Sequence, residues 1–333
     1  MTAMRLRLAV ILLLLLATPL AAQEWRFFGR GAVFGIYTTE TGPAEPRKQL
    51  FSTNWLEGHA ERSFGRSSIE FHARVTAEPA TVPDEGYPLL LQYVSRQNAD
   101  RMPGHEFLED AGVRLWLRAL RLDAEVAGAP PLGAEPYRQR GSSIDFPTAP
   151  FSYDVAESFK FARRVAGAAI DTRPLMIEGA VFHAGTTNGN VDSWSGRVTL
   201  RPTDAVSLQV SHGKLGDAKE PVTSASATWS RERVAATALW TKRDRLVAYG
   251  VEGALRGRRN TLMARVESAD RPAGAIEPLQ RRTTHISLGY IFDVVKRIGL
   301  GVATDYHTAT GHLTSRYGHK PQSVHFFMRA RTE

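Results

Sequence analysis

The chain has 333 residues, of which 43% are hydrophobic and 23% charged, with a net charge of +8 and no cysteine. That balance excludes a disordered or collagen-like chain. The missing thiols exclude a disulfide-stapled fold, a cysteine zinc site, a cysteine nucleophile and a lipoprotein anchor.

Residues 1–22 open with Arg5 and Arg7, continue through an unbroken apolar run from Leu8 to Ala17, and break at Thr18-Pro19 before Leu20-Ala21-Ala22. This order of basic start, apolar stretch and small residues is that of a cleaved secretory signal peptide, which leaves residues 23–333 as one exported domain. The apolar run is too short to cross a bilayer as a helix, and no later window comes close to the length required. The basic residues are scattered along the chain and form no cluster on a helical face, so no nucleic-acid partner is expected.

From residue 26 onward the hydrophobic period is two. The clearest run lies within 67–78, where Ile69, Phe71, Ala73, Val75 and Ala77 alternate with Glu70, His72, Arg74, Thr76 and Glu78. Such alternation marks a strand with a different solvent on each face. About sixteen runs of this kind follow one another, near 26–39, 50–62, 67–78, 106–117, 119–128, 159–171, 174–185, 193–202, 204–214, 221–230, 233–243, 245–257, 260–269, 282–293, 297–306 and 322–331. The first is ambiguous, because Arg26 and Arg30 share a face with Phe28, Phe34 and Ile36. The joins alternate too. Short turns, such as Gly65-Arg66, Ala119-Leu120 and Lys296-Arg297, take turns with longer segments at 40–49, 79–105, 129–158, 186–192, 215–220, 270–281 and 307–321; only the join near Asp244 breaks the rule.

Short turns at one end, long loops at the other and an even strand count describe an all-β chain. They point to a single transmembrane antiparallel up-and-down β-barrel of about 16 strands (range 12–18), with short periplasmic turns and long outer loops. Most Trp and Tyr residues fall near run ends or on apolar faces, as an aromatic girdle requires. The expected location is the bacterial outer membrane. The expected partners are outer-membrane lipid, the barrel-assembly machinery, and small solutes or ions. Nothing in the residue pattern states an oligomeric state.

Several segments resemble a family of uncharacterised bacterial outer-membrane β-barrel proteins, some of them in metal-resistance gene contexts. These are Phe51-Ser52-Thr53-Asn54-Trp55-Leu56-Glu57-Gly58-His59-Ala60, Gly86-Tyr87-Pro88-Leu89-Leu90-Leu91-Gln92, Val191-Asp192-Ser193-Trp194-Ser195-Gly196-Arg197 and Tyr317-Gly318-His319-Lys320-Pro321. The resemblance implies a fold and a context, not an activity. The family carries a His-Pro-His-Asp stretch after the Gly-Tyr-Pro-Leu loop. Here that part reads Met102-Pro103-Gly104-His105-Glu106-Phe107-Leu108, with His105 alone remaining.

The polar faces name the candidate lumen residues. The Gly65-Arg66 join suits a two-residue turn with glycine first. It then sets His59 opposite His72, Glu61 opposite Glu70 and Glu57 opposite Arg74. Two carboxylates face to face repel unless something compensates. Arginines from the next strand, water, or a divalent metal held by His59, His72, Glu61 and Glu70 would each serve. A two-residue Ala119-Leu120 turn sets Arg114 opposite Glu125. The polar faces of neighbouring runs add Arg118, Asp123, Arg197 and Arg201. No nucleophile elbow, metalloprotease motif, P-loop or dinucleotide fingerprint occurs, so no enzyme is expected and no cofactor beyond that metal. The functional expectation is a porin-like passive channel for ions or small polar solutes. The alternative is a closed structural or binding barrel, metal-related, with the apolar loop 79–105 as its plug. The Pro-, Gly- and Ser-rich loop 129–158 reads equally as a disordered surface loop.

Overall fold

The computed structural model describes residues 24–41, 48–83, 107–156, 162–185, 189–217, 219–271, 281–308, 314 and 320–332. The expected signal peptide lies outside them, as does most of loop 79–105. Sixteen antiparallel strands follow one another around a closed barrel, each paired with its neighbours in sequence. Closure comes from β1 (Arg26–Thr41) pairing with β16 (Gln322–Arg331), from Ala32 opposite Arg331 to Thr41 opposite Gln322. A closed sheet leaves no unpaired edge, so every strand satisfies its backbone within the wall.

The alternation builds two surfaces. Leu50, Leu56, Phe71, Val75, Val210, Leu288 and Phe326 are exposed on the outside, while Thr53, Glu57, His72, Arg74, Arg265 and Arg329 are buried on the lumenal side. Trp194, Trp229, Trp240, Tyr249 and Tyr290 are exposed on the outer face, as a girdle needs. Trp55 departs from that expectation: it is buried in the lumen beneath the Arg30 guanidinium.

The hairpin of β2 (Lys48–Phe64) and β3 (Ser67–Val75) has the expected register, with His59 opposite His72, Glu61 opposite Glu70 and Glu57 opposite Arg74. Gly65 sits at φ +64°, the left-handed conformation a glycine-first turn demands. The next hairpin corrects the expected one. The turn between β4 (Leu108–Leu117) and β5 (Leu120–Gly128) is Arg118-Ala119, and Leu120 is already paired with Leu117. Arg114 therefore faces Asp123, and Gly112 faces Glu125. Arg118 lies exposed in the turn at φ +61°, not on the lumen wall.

The second correction concerns the loops. Residues 129–156 do not lie on the surface; they fold into the barrel. Leu132, Ala134, Tyr137, Arg140, Ser142, Asp145, Phe146 and Phe151 are all buried. The segment is fastened at both ends. Leu132 packs with Val165, Phe182 and Leu215, and the Phe151 and Ser152 amides both donate to Glu267, at 2.7 Å each. In the middle, Tyr137 and Phe146 join Phe34, Ile36, Phe51, Trp55, Ile291 and Phe327 from the wall. This cluster explains the ambiguous first run. The lumenal face of β1 is apolar because it seats the inserted loop, not because it meets lipid.

Candidate functional site: a lumen narrowed on one side

The apolar contacts of the inserted loop fall mainly on β1, β2, β13 (Asn260–Arg271), β14 (Arg281–Val295), β15 (Ile298–His307) and β16. The charged wall runs from Arg30 on β1 through β2 to β8, where β6 is Ala162–Asp171, β7 is Leu175–Ala184 and β8 is Ser193–Thr203. Two polar cavities, of about 320 and 560 Å³, border the loop. Both are lined by Arg30 and by Gln139 of the loop, so they adjoin there. The first also touches Glu57, Arg114, Arg121, Asp123, Glu178 and Arg197; the second touches Arg231, Arg256 and Arg331.

Strand pairing dictates the charge network. Glu57 Oε2 accepts from Arg74 at 2.9 Å and from Arg30 at 3.3 Å, while its other oxygen lies 2.9 Å from His59 Nε2. Glu70 lies 3.0 Å from His59 Nδ1 and 3.1 Å from Arg114 Nη1. Glu178 holds Arg121 and Arg197, each at 2.7 Å. Arg201 pairs with Asp171 at 2.8 Å.

The facing carboxylates Glu61 and Glu70 are compensated by arginine: Arg26 reaches Glu61 at 3.0 Å, and Arg114 reaches Glu70. Glu61, Glu70, His59 and His72 do not converge on one point. The ligand atoms that do converge within 4.8 Å, among the described residues, belong to His72, Asp110 and Glu125 and to His285, Asp305 and His307. Glu125, in register opposite Gly112, still forms an ion pair with Arg114, 3.8 Å from its Nη2, and lies 3.7 Å from His72 Nε2.

Solvent access is unequal between the two signs. The Arg30 side chain is 30% exposed against 10% for its partner Glu57, and Arg114 is 24% exposed against 13% for Glu70. Arg121 and Arg197, at 17% and 13%, cover a Glu178 that is 2% exposed. In these pairs the guanidinium is the more exposed partner, whereas Arg74, at 7%, is buried beside Glu57. Because each carboxylate is short and each arginine long, an alternating wall of the two projects positive charge furthest into the lumen.

Sequence reasoning named Glu57, His59, Glu70, His72, Arg74, Arg114, Asp123 and Arg197 as lumen candidates, and the structure sets them in the ion pairs described above. It missed Arg30, Arg121, Glu178 and the whole loop contribution. Arg121 and Glu178 each alternate with apolar neighbours and were legible on that basis; the loop carries no period to read.

Solved structures share this architecture. An anion-selective porin from Comamonas acidovorans superposes with a TM-score of 0.60 at 13% identity, covering 92% of this chain and all of the porin. OmpT of Vibrio cholerae, an outer-membrane protein solved with loop L8 deleted, gives 0.54 at 9% identity over 92% of this chain and 99% of its own. A mutant Rh. blastica porin gives 0.51 at 8% identity over 92% and 100%. The fold is that of the sixteen-stranded porin barrel. No family model and no curated protein sequence matches the chain, so nothing carries the metal-resistance context forward.

Proposed function

We propose that this chain is an outer-membrane porin, a passive channel that favours small anions and otherwise admits small polar solutes. The observation that carries the reading is the arginine-fronted wall opposite the inserted loop. In a narrow, low-dielectric passage, one exposed sign of charge focuses the field and enriches the opposite ion. The loop sets the size limit by filling part of the lumen, held by the apolar cluster and by ion pairs and hydrogen bonds to the wall. A barrel of this kind is a conduit and not an enzyme. It sits in outer-membrane lipid, placed there by the barrel-assembly machinery after its signal peptide is removed. The shared fold of an anion-selective porin supports the reading, although at 13% identity it supplies the fold alone.

Reversal potentials of refolded protein in a KCl gradient test the proposal. The wild type is expected to pass chloride in preference to potassium. Arg30→Gln combined with Arg114→Gln removes two of the exposed guanidinium groups while Glu57 keeps Arg74 and His59. That variant is expected to lose most of the preference. A cation-preferring wild type would overturn the reading.

A further inference from the structure

The lumenal faces of β13 (Asn260–Arg271), β14 (Arg281–Val295), β15 (Ile298–His307) and β16 gather three imidazoles and two carboxylates. Glu267, His285, Asp305, His307 and His325 are all buried. Pairing brings them together. His285 lies directly opposite His307, and Asp305 precedes His307 by two residues on the same face. Glu267 lies opposite His285 on the other side.

Each inner atom is backed by an outer one. His285 Nδ1 is 2.8 Å from Glu267 Oε1, which leaves Nε2 pointing to Asp305. Asp305 Oδ2 is 2.8 Å from His325 Nε2, which leaves Oδ1. His285 Nε2 and Asp305 Oδ1 lie 3.3 Å apart, buried, and neither makes a hydrogen bond. The His307 ring stacks on His285 with centroids 4.5 Å apart, and its ligand atom completes a trio within 4.8 Å. Among the described residues, Asp305 pairs with His285 and His325, and Glu267 pairs with His285 while the Arg265 guanidinium is a further charged neighbour. The His72, Asp110 and Glu125 group has guanidinium neighbours in Arg74 and Arg114.

We propose that His285 Nε2, Asp305 Oδ1 and His307 form a binding site for a divalent transition metal, zinc in the first instance. Two imidazoles and one carboxylate, with a water as the fourth ligand, suit zinc, copper or nickel rather than calcium or magnesium. The Glu267–His285 contact is the outer arrangement that orients a metal-binding imidazole and raises its basicity. Glu267 also accepts the Phe151 and Ser152 amides, and the Phe151 ring packs edge-on to His307 at 6.1 Å. The metal therefore sits beneath the far end of the inserted loop and fastens it to the wall. The site stands independently of what passes through the lumen, and it uses none of residues 102–108.

The test uses full-length refolded barrel, stripped with a chelator and titrated with Zn²⁺ by calorimetry and with Co²⁺ by visible absorption. Heat-dependent gel migration reports the barrel in every sample. The wild type is expected to take up one equivalent with release of protons. Asp305→Asn and His307→Gln are each expected to weaken binding more than about tenfold, and Glu267→Gln roughly 10–100-fold, as outer partners of metal ligands do. His72→Gln is expected to leave binding unchanged. The proposal is overturned if the wild type binds neither ion, if both ligand variants bind as the wild type does, or if His72→Gln abolishes binding. Should the ligand variants fail to form barrels, the one-equivalent Co²⁺ spectrum retained in His72→Gln supports the site, and its loss there overturns it.

Discussion

Asp145 is fully buried at the middle of the inserted loop, where it accepts from Arg256 at 2.6 and 2.8 Å and from Arg329 at 2.6 Å. Arg329 is itself fully buried and also reaches Asp293 at 2.6 Å. Removing one partner of a buried ion pair costs about 3–5 kcal/mol, because the other charge stays behind without compensation. Asp145→Asn is therefore expected to release the loop while the strands persist. Hydrogen exchange is the measurement: protection lost across 137–148 and retained in the wall. A different residue-scale constraint operates at Gly301, where a Cβ would run into the Phe327 ring that packs in the loop's apolar seat. Gly301→Val is expected to lower stability by about 1–3 kcal/mol, the range for overpacked interiors, read from denaturant midpoints of the refolded barrel. Neither residue announces its role in the sequence. Asp145 looks like one acidic residue in a loop, and Gly301 like one small residue in a strand.

At the scale of elements, legibility followed the chemistry of each face. The β2–β3 hairpin was readable because Gly65 marks its turn and both strands alternate cleanly, so the pairing of His59 with His72 follows directly. The β4–β5 hairpin slipped because its turn uses Arg118, a residue type with no left-handed preference, and sequence alone favoured Ala119-Leu120. The β1 strand was obscured by its function as a seat, since an apolar lumenal face opposite an apolar outer face leaves no alternation. The outer rim between β7 and β8 supplies a pH test. Burial alone would push the Asp192 carboxyl up, but the Ser193 hydroxyl, the Ala184 amide and His183 outweigh it and hold the group below the usual carboxylate range. A depressed acid contributes stability that is fully present above its unfolded value and is lost as pH falls through its folded one. Exchange protection of the Ala184 amide is therefore expected to persist as pH drops past the ordinary aspartate value of 3.8 and to fail only below it, whereas in Asp192→Asn it is weak at every pH.

The whole molecule is asymmetric across its lumen. On one side an apolar cluster from β1, β2 and β13 to β16 seats the inserted segment, set among buried charged groups such as Arg265 and Arg329; the other side is an alternation of arginine and carboxylate in which Arg30, Arg114, Arg121 and Arg197 are more exposed than their partners. The closed barrel was legible from strand period and from the sorting of short and long joins, because a closed antiparallel sheet with two unlike faces imposes the first and its up-and-down topology accommodates the second. The inserted segment was not. A Pro-, Gly- and Ser-rich stretch has the same composition on a surface as inside a wet lumen, where its polar backbone finds partners such as Thr53, Ser211 and Arg265. The most direct measurement is single-channel conductance in planar bilayers for the wild type beside a variant whose residues 139–147 are replaced by a short glycine linker. A passage narrowed by this segment is expected to conduct steadily in the wild type and severalfold more in the truncated form, with the anion preference kept because the arginine wall is intact. A folded wild type that stays silent, or a truncation that leaves the conductance unchanged, would contradict it.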